Sequence, residues 1–208
     1  MNQNECGGKA GLLICLSGPS GVGKGTVIEC LKQRGTCLDH SISLTTRKPR
    51  TGEVDGQSYY FVSRAEFEHK LQAGEILEYD CYCGNYYGTP KTPIINKMNK
   101  GIDVIMDVTV PGSIATIENF PAAISIFLLP PSFSELRRRL AGRGTEPPEI
   151  VEQRMCKAES EVCQAPRFDY VIVNRELDET ARLINSILDA ERQRYLRQQG
   201  IEQKILIE

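Results

Sequence analysis

GPSGVGKGT, residues 18–26, is a glycine-rich stretch between a predicted strand and a predicted helix. The residues before it, LLICL at 12–16, form a continuous apolar run that is typical of a strand buried on both faces. After it, Val27, Ile28 and Leu31 recur at helical spacing. Glycines let successive backbone N–H groups point to one spot, and the start of a helix adds its positive dipole end there. The stretch therefore predicts a phosphate-binding loop.

Lys24 lies at the predicted helix start, where its ammonium group would reach the terminal phosphates of a nucleotide. The pattern G-x-x-x-x-G-K expects Ser or Thr next, but Gly25 stands there and Thr26 follows one position later. We therefore expect ATP binding, with Mg²⁺ held mainly by the nucleotide's own oxygens and by water. The predicted ATP-binding residues of the loop are Gly18, Pro19, Ser20, Gly21, Val22, Gly23, Lys24, Gly25 and Thr26.

Two residues are candidate direct ligands of this Mg²⁺. Thr26 offers a hydroxyl one residue after the usual position, and Asp107 lies near the end of the apolar run VIMDV at 104–108. P-loop proteins often hold Mg²⁺ near a carboxylate of this kind. An equally good local interpretation of Asp107 is a cap of the following helix.

Strand and helix patterns alternate along most of the chain. Apolar strand candidates at 102–108, 122–129 and 169–173 are each followed by a helical stretch. This alternation predicts an α/β fold with a parallel sheet and right-handed crossovers. The last predicted helix presents one apolar face, which is formed by Leu183, Ile184, Ile187 and Leu188.

Two regions interrupt the alternation. Residues 41–90 carry short alternating runs rich in Tyr, Thr, Gly and Arg, which indicate a small antiparallel insertion with one helix capped by Ser63 and Glu66. Residues 142–166 are polar and bear arginines between two core elements, a composition typical of a mobile lid. In a chain of 208 residues we expect one core that carries these two insertions.

The charged residues are balanced, with 25 Lys and Arg against 27 Asp and Glu and a net charge of −2. There is no basic excess to attract nucleic acid or an anionic membrane, so a phosphate site must be a local concentration of Lys and Arg. No apolar run is long enough to span a bilayer, and we expect a cytoplasmic protein. The eight cysteines show no C-x-x-C spacing, which favours reduced thiols.

The segment TTRKPRTGEVDGQSYYF, residues 45–61, carries a second phosphate signal. Arg47 and Arg50 stand three apart beside hydroxyl residues, and Tyr59 follows them. Two guanidinium groups in one loop form a good clamp for a phosphate dianion, whereas solvated surface arginines are the alternative interpretation. The string NKMN at 96–99 lacks the final Asp of a guanine-reading Asn-Lys-x-Asp segment, so we reject a GTPase.

Five motifs occur in a fixed order: GPSGVGKGT, TTRKPRTGEVDGQSYYF, GNYYGT, RLAGRGTE and VIVN. Together they resemble guanylate kinase over about residues 11–188, which implies a P-loop fold with a three-layer core, a small mixed α/β lobe and a helical lid. The resemblance also implies transfer of the γ-phosphoryl group of ATP to GMP, with dGMP as a further acceptor and Mg²⁺ as cofactor. Nucleoside monophosphate kinases commonly have Gly and then Thr after the loop lysine, so Gly25 marks this subgroup.

The same resemblance assigns roles along the chain. The implied units are a flexible N-terminus at 1–10, a P-loop core at 11–40, 91–141 and 167–208, a GMP-binding lobe at 41–90 and a lid at 142–166. The residues implied to hold the GMP phosphate are Arg47, Arg50, Tyr59 and Tyr87, and those implied to address guanine are Ser43, Glu78, Thr89 and Thr109. The residues implied to contact ATP are Arg139, Arg143 and Arg154 on its phosphates and Asn174 on adenine. With Lys24 and Arg47, the three further arginines form the implied catalytic set.

One segment departs from the family pattern at two positions. After the strand aspartate the family usually has a second acidic residue and then a glutamine, whereas this chain has Thr109 and Pro111 in DVTVPG. Glu78 can accept from both N1–H and the 2-amino group of guanine, but the second carboxylate is absent from its usual place. We therefore expect weaker guanine selection, at a cost of about 1 kcal/mol or a little more.

Three alternatives stay open at this stage. The chain could be a related kinase that acts on another nucleotide or on a sugar phosphate. It could also be a non-catalytic guanylate-kinase-like binding module, although such a module has no use for Lys24 and the lid arginines. For Arg139, which lies in the basic run RRRL, a role on a solvated helix face competes with a role at the phosphates.

Overall fold

The computed structural model describes residues 10–82, 84–142 and 148–207. The strands in this part of the chain are β1 Leu13–Ser17, β2 Leu38–His40, β3 Leu44–Thr45, β4 Tyr60–Phe61, β5 Ile76–Tyr82, β6 Asn85–Pro90, β7 Asp103–Asp107, β8 Ile124–Leu129 and β9 Tyr170–Val173. The α-helices are α1 Lys24–Gln33, α2 Arg64–Gln72, α3 Lys91–Asn99, α4 Val110–Asn119, α5 Phe133–Ala141, α6 Pro148–Val162, α7 Leu177–Gln193 and α8 Ile201–Ile207. Short 3₁₀ helices lie at Ala165–Arg167 and Tyr195–Arg197.

The larger sheet has five strands in the order β2-β7-β1-β8-β9, and every pairing in it is parallel. Strand β1 lies at its centre, and all five of its residues are buried. Along β1, Ile14 and Leu16 pack into one apolar cluster with α1 and α7, whereas Leu13 and Cys15 pack into another with Ile94 of α3. Because alternate residues of β1 point to opposite faces of the sheet, these two clusters show that helices cover both faces. The α/β fold with a parallel sheet that the sequence predicts is confirmed.

The sheet order brings two chain segments to the same edge. Leu16 at the end of β1 is in register with Asp107 at the end of β7. Because the strands are parallel, the loops that follow them leave the sheet on the same side. The glycine-rich stretch and Asp107 therefore meet at the carboxyl edge of the sheet, where ligands bind in open α/β sheets.

The smaller sheet has four strands in the order β4-β3-β6-β5. Pairs β3–β6 and β5–β6 are antiparallel, but β3 and β4 are parallel, so the expected antiparallel insertion is a mixed sheet instead. The long connection over residues 46–59 returns the chain to the start of β3, which lets β4 run in the same direction. Helix α2 covers this sheet through Phe67, which is fully buried, and its N-cap Ser63 accepts from the N–H of Glu66 as predicted.

Helix α6 packs on α5. Leu136 and Leu140 of α5 form a buried cluster with Val151, Met155 and Ala158 of α6. The division of the chain into core, lobe and lid as functional units stays a prediction.

The buried face of α7 differs from the prediction at one residue. Ile184 and Leu188 are buried and Ile187 packs against their cluster, but Leu183 is 37% exposed. Residues 184 and 188 are one helical turn apart, and the 100° step between neighbours turns residue 183 away from their face. No helix within the described ranges is long and apolar enough to cross a membrane.

Candidate active site

The glycine-rich loop joins β1 to α1. Gly18 and Gly23 have φ angles of 141° and 103°, which residues with a side chain rarely adopt. A Cβ atom on Gly18 would also lie 2.4 Å from the carbonyl oxygen of Leu128. Among the described residues, no side chain caps the start of α1. The first N–H groups of the helix can therefore bind the oxygens of a phosphate.

The remaining loop residues surround these N–H groups. Val22 is fully buried, whereas Gly25 and Thr26 are exposed on the first turn of α1. Pro19 and Ser20 belong to the turn, in which the Pro19 carbonyl accepts from the N–H of Val22. A Cβ atom on Gly25 would meet no atom within 4 Å, so protein packing does not require glycine there.

Lys24 folds back over the loop. Its Nζ donates to the Gly18 carbonyl at 3.0 Å and lies 3.8 Å from Oδ1 of Asp107. The alternative role of Asp107 as a helix cap is wrong, because Thr109 caps α4 by accepting from the N–H of Gly112 at 3.2 Å. The Asp107 carboxylate is thus available beside the lysine and the loop.

Asn174 lies directly under the loop and is 5% exposed. Its Nδ2 donates to the Val22 carbonyl at 2.8 Å, and its Oδ1 accepts from the Thr180 hydroxyl at 3.0 Å. Both ends of the amide are therefore used within the protein, which gives Asn174 a positioning role for the loop. Its predicted contact with adenine stays a prediction.

Arg139 lies against the same loop from the side of α5. Its guanidinium donates to Glu135 at 2.8 Å, to the Val22 carbonyl at 3.2 Å and to the Asn174 carbonyl at 3.4 Å. The alternative of a solvated helix face is therefore wrong for this arginine. Arg154 is half-buried on α6, and Arg143 lies outside the described residues.

The predicted phosphate clamp is organised by a glutamate. Glu53 accepts two hydrogen bonds from Arg47, at 2.8 and 2.9 Å, and one from the Arg50 N–H at 2.7 Å. These bonds, those from Arg47 first, lower the pKa of the Glu53 carboxyl to about 2. The Arg47 guanidinium also lies 5.4 Å from the centre of the Tyr59 ring and is hydrogen-bonded to Tyr87. The clamp therefore has a fixed core, whereas the Arg50 side chain is exposed.

The predicted guanine residues converge on a buried carboxylate. Glu78 is 7% exposed, and its Oε1 accepts from the hydroxyl of the fully buried Thr89 at 2.6 Å. Its Oε2 approaches the start of α4, where a Cβ atom on Gly112 would lie 2.4 Å away. Burial raises the pKa of Glu78, which the Thr89 hydrogen bond opposes.

A cavity of about 240 Å³ brings these groups together. Its lining includes Ser43, Tyr59, Glu78, Asp80, Tyr87, Asp107 and Thr109. These residues come from distant parts of the chain, and six of the seven are site residues predicted from the sequence. Because Asp107 also lies beside Lys24, the cavity opens next to the phosphate loop.

Comparisons with known proteins agree with this geometry. The family model described as guanylate kinase matches residues 11–191. The chain belongs to the guanylate kinase family. A guanylate kinase of Listeria innocua is 48% identical over 182 residues, 87% of this chain and 89% of the relative. A guanylate kinase of Halalkalibacterium halodurans is 46% identical over 181 residues, with the same two coverages.

A solved structure extends the likeness to the fold. The crystal structure of guanylate kinase from Anaplasma phagocytophilum is 35% identical and has a TM-score of 0.75. The match covers 95% of this chain and 94% of that one. The guanylate kinase family predicted from the five motifs is confirmed.

The donor set for a metal is small in this member of the guanylate kinase family. No group of three or more His, Cys, Asp or Glu side chains that could hold a metal ion occurs in the described part of the chain. Asp107 and Thr26 are the predicted direct ligands, and Asp107 is already close to Lys24. This set fits a Mg²⁺ ion that arrives on ATP, with nucleotide oxygens and water as its main ligands.

Sequence reasoning missed three acidic residues of the site. Glu53 holds Arg47, Asp80 lines the cavity, and Glu161 of α6 lies 9% exposed near the loop. Burial raises the pKa of Glu161, whereas Lys157, Lys24 and a hydrogen bond from the Ser20 N–H oppose this. A sequence signal existed for Glu53, six residues after Arg47 in the same loop, but not for the other two.

Proposed function

We propose that this chain is a guanylate kinase that transfers the γ-phosphoryl group of ATP to GMP and releases ADP and GDP. One observation carries the proposal: the cavity that contains Glu78 opens beside the phosphate loop and Lys24. A carboxylate at one end of this cavity and an arginine–tyrosine clamp near it suit a nucleoside monophosphate. The donor loop next to it suits ATP.

Transfer is direct and in line. An oxygen of the GMP phosphate attacks the γ-phosphorus of ATP, and the bond from that phosphorus to the ADP oxygen breaks, so GDP and ADP form without a covalent enzyme intermediate. The attacking phosphate is already an anion with lone pairs to donate, and no general base is needed. The chain supplies positioning and charge neutralisation instead.

The cationic groups divide this task. Lys24 and the loop N–H groups bind the phosphates of ATP, and Arg47 with Tyr59 and Tyr87 binds the phosphate of GMP. Arg139 contacts the loop from α5 and joins them at the ATP phosphates. Arg154 on the lid, together with Arg143, joins them when the lid closes. Mg²⁺ that arrives on ATP supplies further neutralisation of phosphate charge.

Guanine is selected at the buried end of the cavity. The Glu78 carboxylate accepts from N1–H and the 2-amino group, whereas adenine presents a lone pair at N1 and no 2-amino group. Thr89 holds Glu78 by one oxygen, which fixes the direction of the other. A misplaced carboxylate in such a buried site costs binding, because its desolvation is then not offset by hydrogen bonds. Ser43 lines the same cavity.

Lid closure excludes water from the reacting phosphates. An open site would let water compete with GMP for the γ-phosphoryl group. Helix α6 carries Lys157 into the lining of the GMP cavity while it packs on α5. Movement of this helix therefore changes the donor and acceptor sites together. We place the reaction in the cytoplasm, where cells hold both nucleotides.

Steady-state transfer from ATP to a panel of acceptors tests the function. The panel comprises GMP, dGMP, AMP, UMP, CMP and ribose phosphates, and a coupled assay for ADP measures the rate. We expect the highest kcat/KM with GMP. A preference for another acceptor would replace the proposal by a related phosphotransferase. Binding of GMP without turnover of any acceptor would replace it by a binding module.

A further inference from the structure

Asp80 is an acidic residue of the GMP cavity that none of the motifs contains. It lies two residues after Glu78 on β5, so both side chains leave the same face of the strand. Both residues line the cavity, and Asp80 is half-buried there. The acceptor cavity thus contains a second carboxylate, on a different element from the position at which the sequence lacks one.

Two hydrogen bonds fix this carboxylate. Its Oδ1 accepts from the N–H of Cys81 at 2.7 Å, and its Oδ2 accepts from the Thr109 hydroxyl at 3.3 Å. The Thr109 oxygen accepts in turn from the N–H of Gly112. The Thr109 hydroxyl therefore donates to Asp80 and accepts from the first turn of α4. Thr109 is thus a positioning residue for Asp80. An aspartate at 109 would cap the helix equally well but would repel Asp80.

The two carboxylates approach the same place. Asp80 reaches the start of α4 through Thr109, and Oε2 of Glu78 reaches it through its close approach to Gly112. Their proximity is also felt electrostatically, since the charge of Asp80 adds to burial in raising the pKa of Glu78. In the described residues, no ion pair between a Lys or Arg and either carboxylate is found; Lys157 lines the cavity but pairs with Glu161 at 3.8 Å. Two like charges in one cavity favour a ligand that donates several hydrogen bonds.

Guanine has that pattern of donors. Its N1–H and the two N–H groups of its 2-amino group lie along one edge, which makes three donors. Thr89 already donates to one oxygen of Glu78. The two oxygens of one carboxylate can face two adjacent donors of that edge, which leaves the third guanine donor for another acceptor. We propose that Asp80 is the second guanine-reading carboxylate and accepts a hydrogen bond from the 2-amino group. This assignment rests on the proposed function, since it concerns the acceptor of that reaction.

The test compares acceptors that differ by one group. IMP keeps N1–H but lacks the 2-amino group, and dGMP keeps the base but lacks the 2′-hydroxyl. Kinetics at saturating ATP are measured for the wild type, Asp80→Asn and Asp80→Ala with GMP, IMP and dGMP. Asparagine keeps an oxygen that can accept from the Cys81 N–H, so Asp80→Asn removes the charge with little change of backbone.

The expected result is a selective loss. In both variants the KM for GMP and dGMP rises about tenfold, as for one hydrogen bond to a charged group, while the KM for IMP and the kcat with GMP stay near their wild-type values. The preference for GMP over IMP then falls about tenfold. An unchanged preference for GMP over IMP would overturn the assignment. A rise of the KM for GMP without a rise of the KM for dGMP would also overturn it, because Asp80 would then contact the ribose.

Further variants separate reading of the base from a merely structural role. Thr109→Val removes the donor to Asp80 and lowers the preference for GMP over IMP, whereas Thr109→Ser keeps the donor and retains more of this preference than Thr109→Val does. Asp80→Ala combined with Thr109→Asp moves the carboxylate across the cavity and restores part of the preference. Asp39→Asn, which removes an exposed carboxylate paired with Lys97, is the matched control and changes nothing. Absence of GMP turnover in the wild type would instead refute the proposed function.

Discussion

The donor loop and the acceptor cavity are built in different ways. The donor loop is mainly backbone: glycines with positive φ and the first N–H groups of α1 form it, and Lys24 reaches back onto its own loop. The acceptor cavity is mainly side chains, which come from β5, β6, the residues before α4 and the loop over 46–59. One site therefore depends on local conformation, and the other depends on contacts between distant segments.

This difference predicts different responses to mutation. In the donor loop, removal of one side chain takes away charge but leaves the backbone cradle intact. In the acceptor cavity, Glu78 and Asp80 each accept a hydrogen bond from another element, so a change in the donor displaces a carboxylate that we propose reads GMP. Effects on ATP and GMP should therefore separate by site.

Lys24→Ala should have the largest effect. We expect kcat to fall by about a thousandfold, because one preorganised charge on the transferred phosphoryl group is lost, while GMP binding stays close to normal. Rapid-quench turnover and calorimetric titration with GMP measure the two quantities. Lys32→Ala, an exposed lysine on the same helix, is the control. A Lys24→Ala enzyme with kcat within tenfold of the wild type would refute the role of the loop.

Gly112→Ala should break the acceptor cavity without unfolding the protein. The added Cβ atom would lie 2.4 Å from Oε2 of Glu78, so the flexible carboxylate must swing away from guanine. We expect the KM for GMP to rise about a hundredfold, as for two lost hydrogen bonds to a charged group, with an unchanged KM for ATP.

Gly25→Ala also replaces a glycine by alanine, but in the donor loop. Its Cβ atom would meet no protein atom within 4 Å, so folding and the KM for GMP should be unaffected, and any effect should fall on ATP. Thermal melting and KM values for both substrates test this contrast. Equal effects of the two alanines on GMP would show that the sites do not separate.

Glu53→Gln should loosen the phosphate clamp. Glutamine has one acceptor oxygen and no charge, so it cannot hold both nitrogens of Arg47 as Glu53 does. We expect the KM for GMP to rise about tenfold. The inhibition constant of guanosine, which has no phosphate, should stay constant. Glu68→Gln, which breaks the exposed pair with Arg64, is the matched control. A loss of guanosine affinity equal to that of GMP would contradict this role.

Asn174→Ala should have the smallest effect on turnover. The variant takes one donor from the Val22 carbonyl, which keeps its bond from Arg139, and leaves the Thr180 hydroxyl without its bond to Asn174. The loss of these two hydrogen bonds should lower the free energy of unfolding by about 1–3 kcal/mol. If Asn174 only positions the loop, the KM for ATP and for GTP as donors rises by a similar, few-fold factor. A loss confined to ATP would favour the predicted contact with adenine. Asn185→Ala, which removes a partner of Thr36 after α1, is the control.

The sequence was a good guide to the fold because its signals are local. Continuous apolar runs predicted β1, β7, β8 and β9, and the structure confirms each of them within a few residues. The predicted capping pattern of Ser63 and Glu66 is likewise present at the start of α2. The prediction was wrong where packing geometry matters, as for Leu183 on α7 and the parallel pair of β3 and β4.

The candidate site was predictable only where the residue pattern or the family resemblance assigns a role to the residue. Lys24, Arg47 and Glu78 follow from patterns of residue type and from resemblance to the family. Glu53 and Asp80 were missed, because which carboxylate meets which arginine or hydroxyl depends on the loop path and on the pairing of strands. Sequence alone presented Thr109 as a lost acid, whereas the structure presents it as the donor that holds Asp80.

The sequence by itself determined the phosphate loop, because glycine conformation, strand burial and helix initiation depend on neighbouring residues. It also determined the guanylate kinase family, since five ordered motifs are specific to it. Only the tertiary structure decided how the acceptor cavity is completed. Asp80 lies on β5, and Thr109 caps α4. It is the packing of α4 against β5 that brings the Thr109 hydroxyl within 3.3 Å of the Asp80 carboxylate.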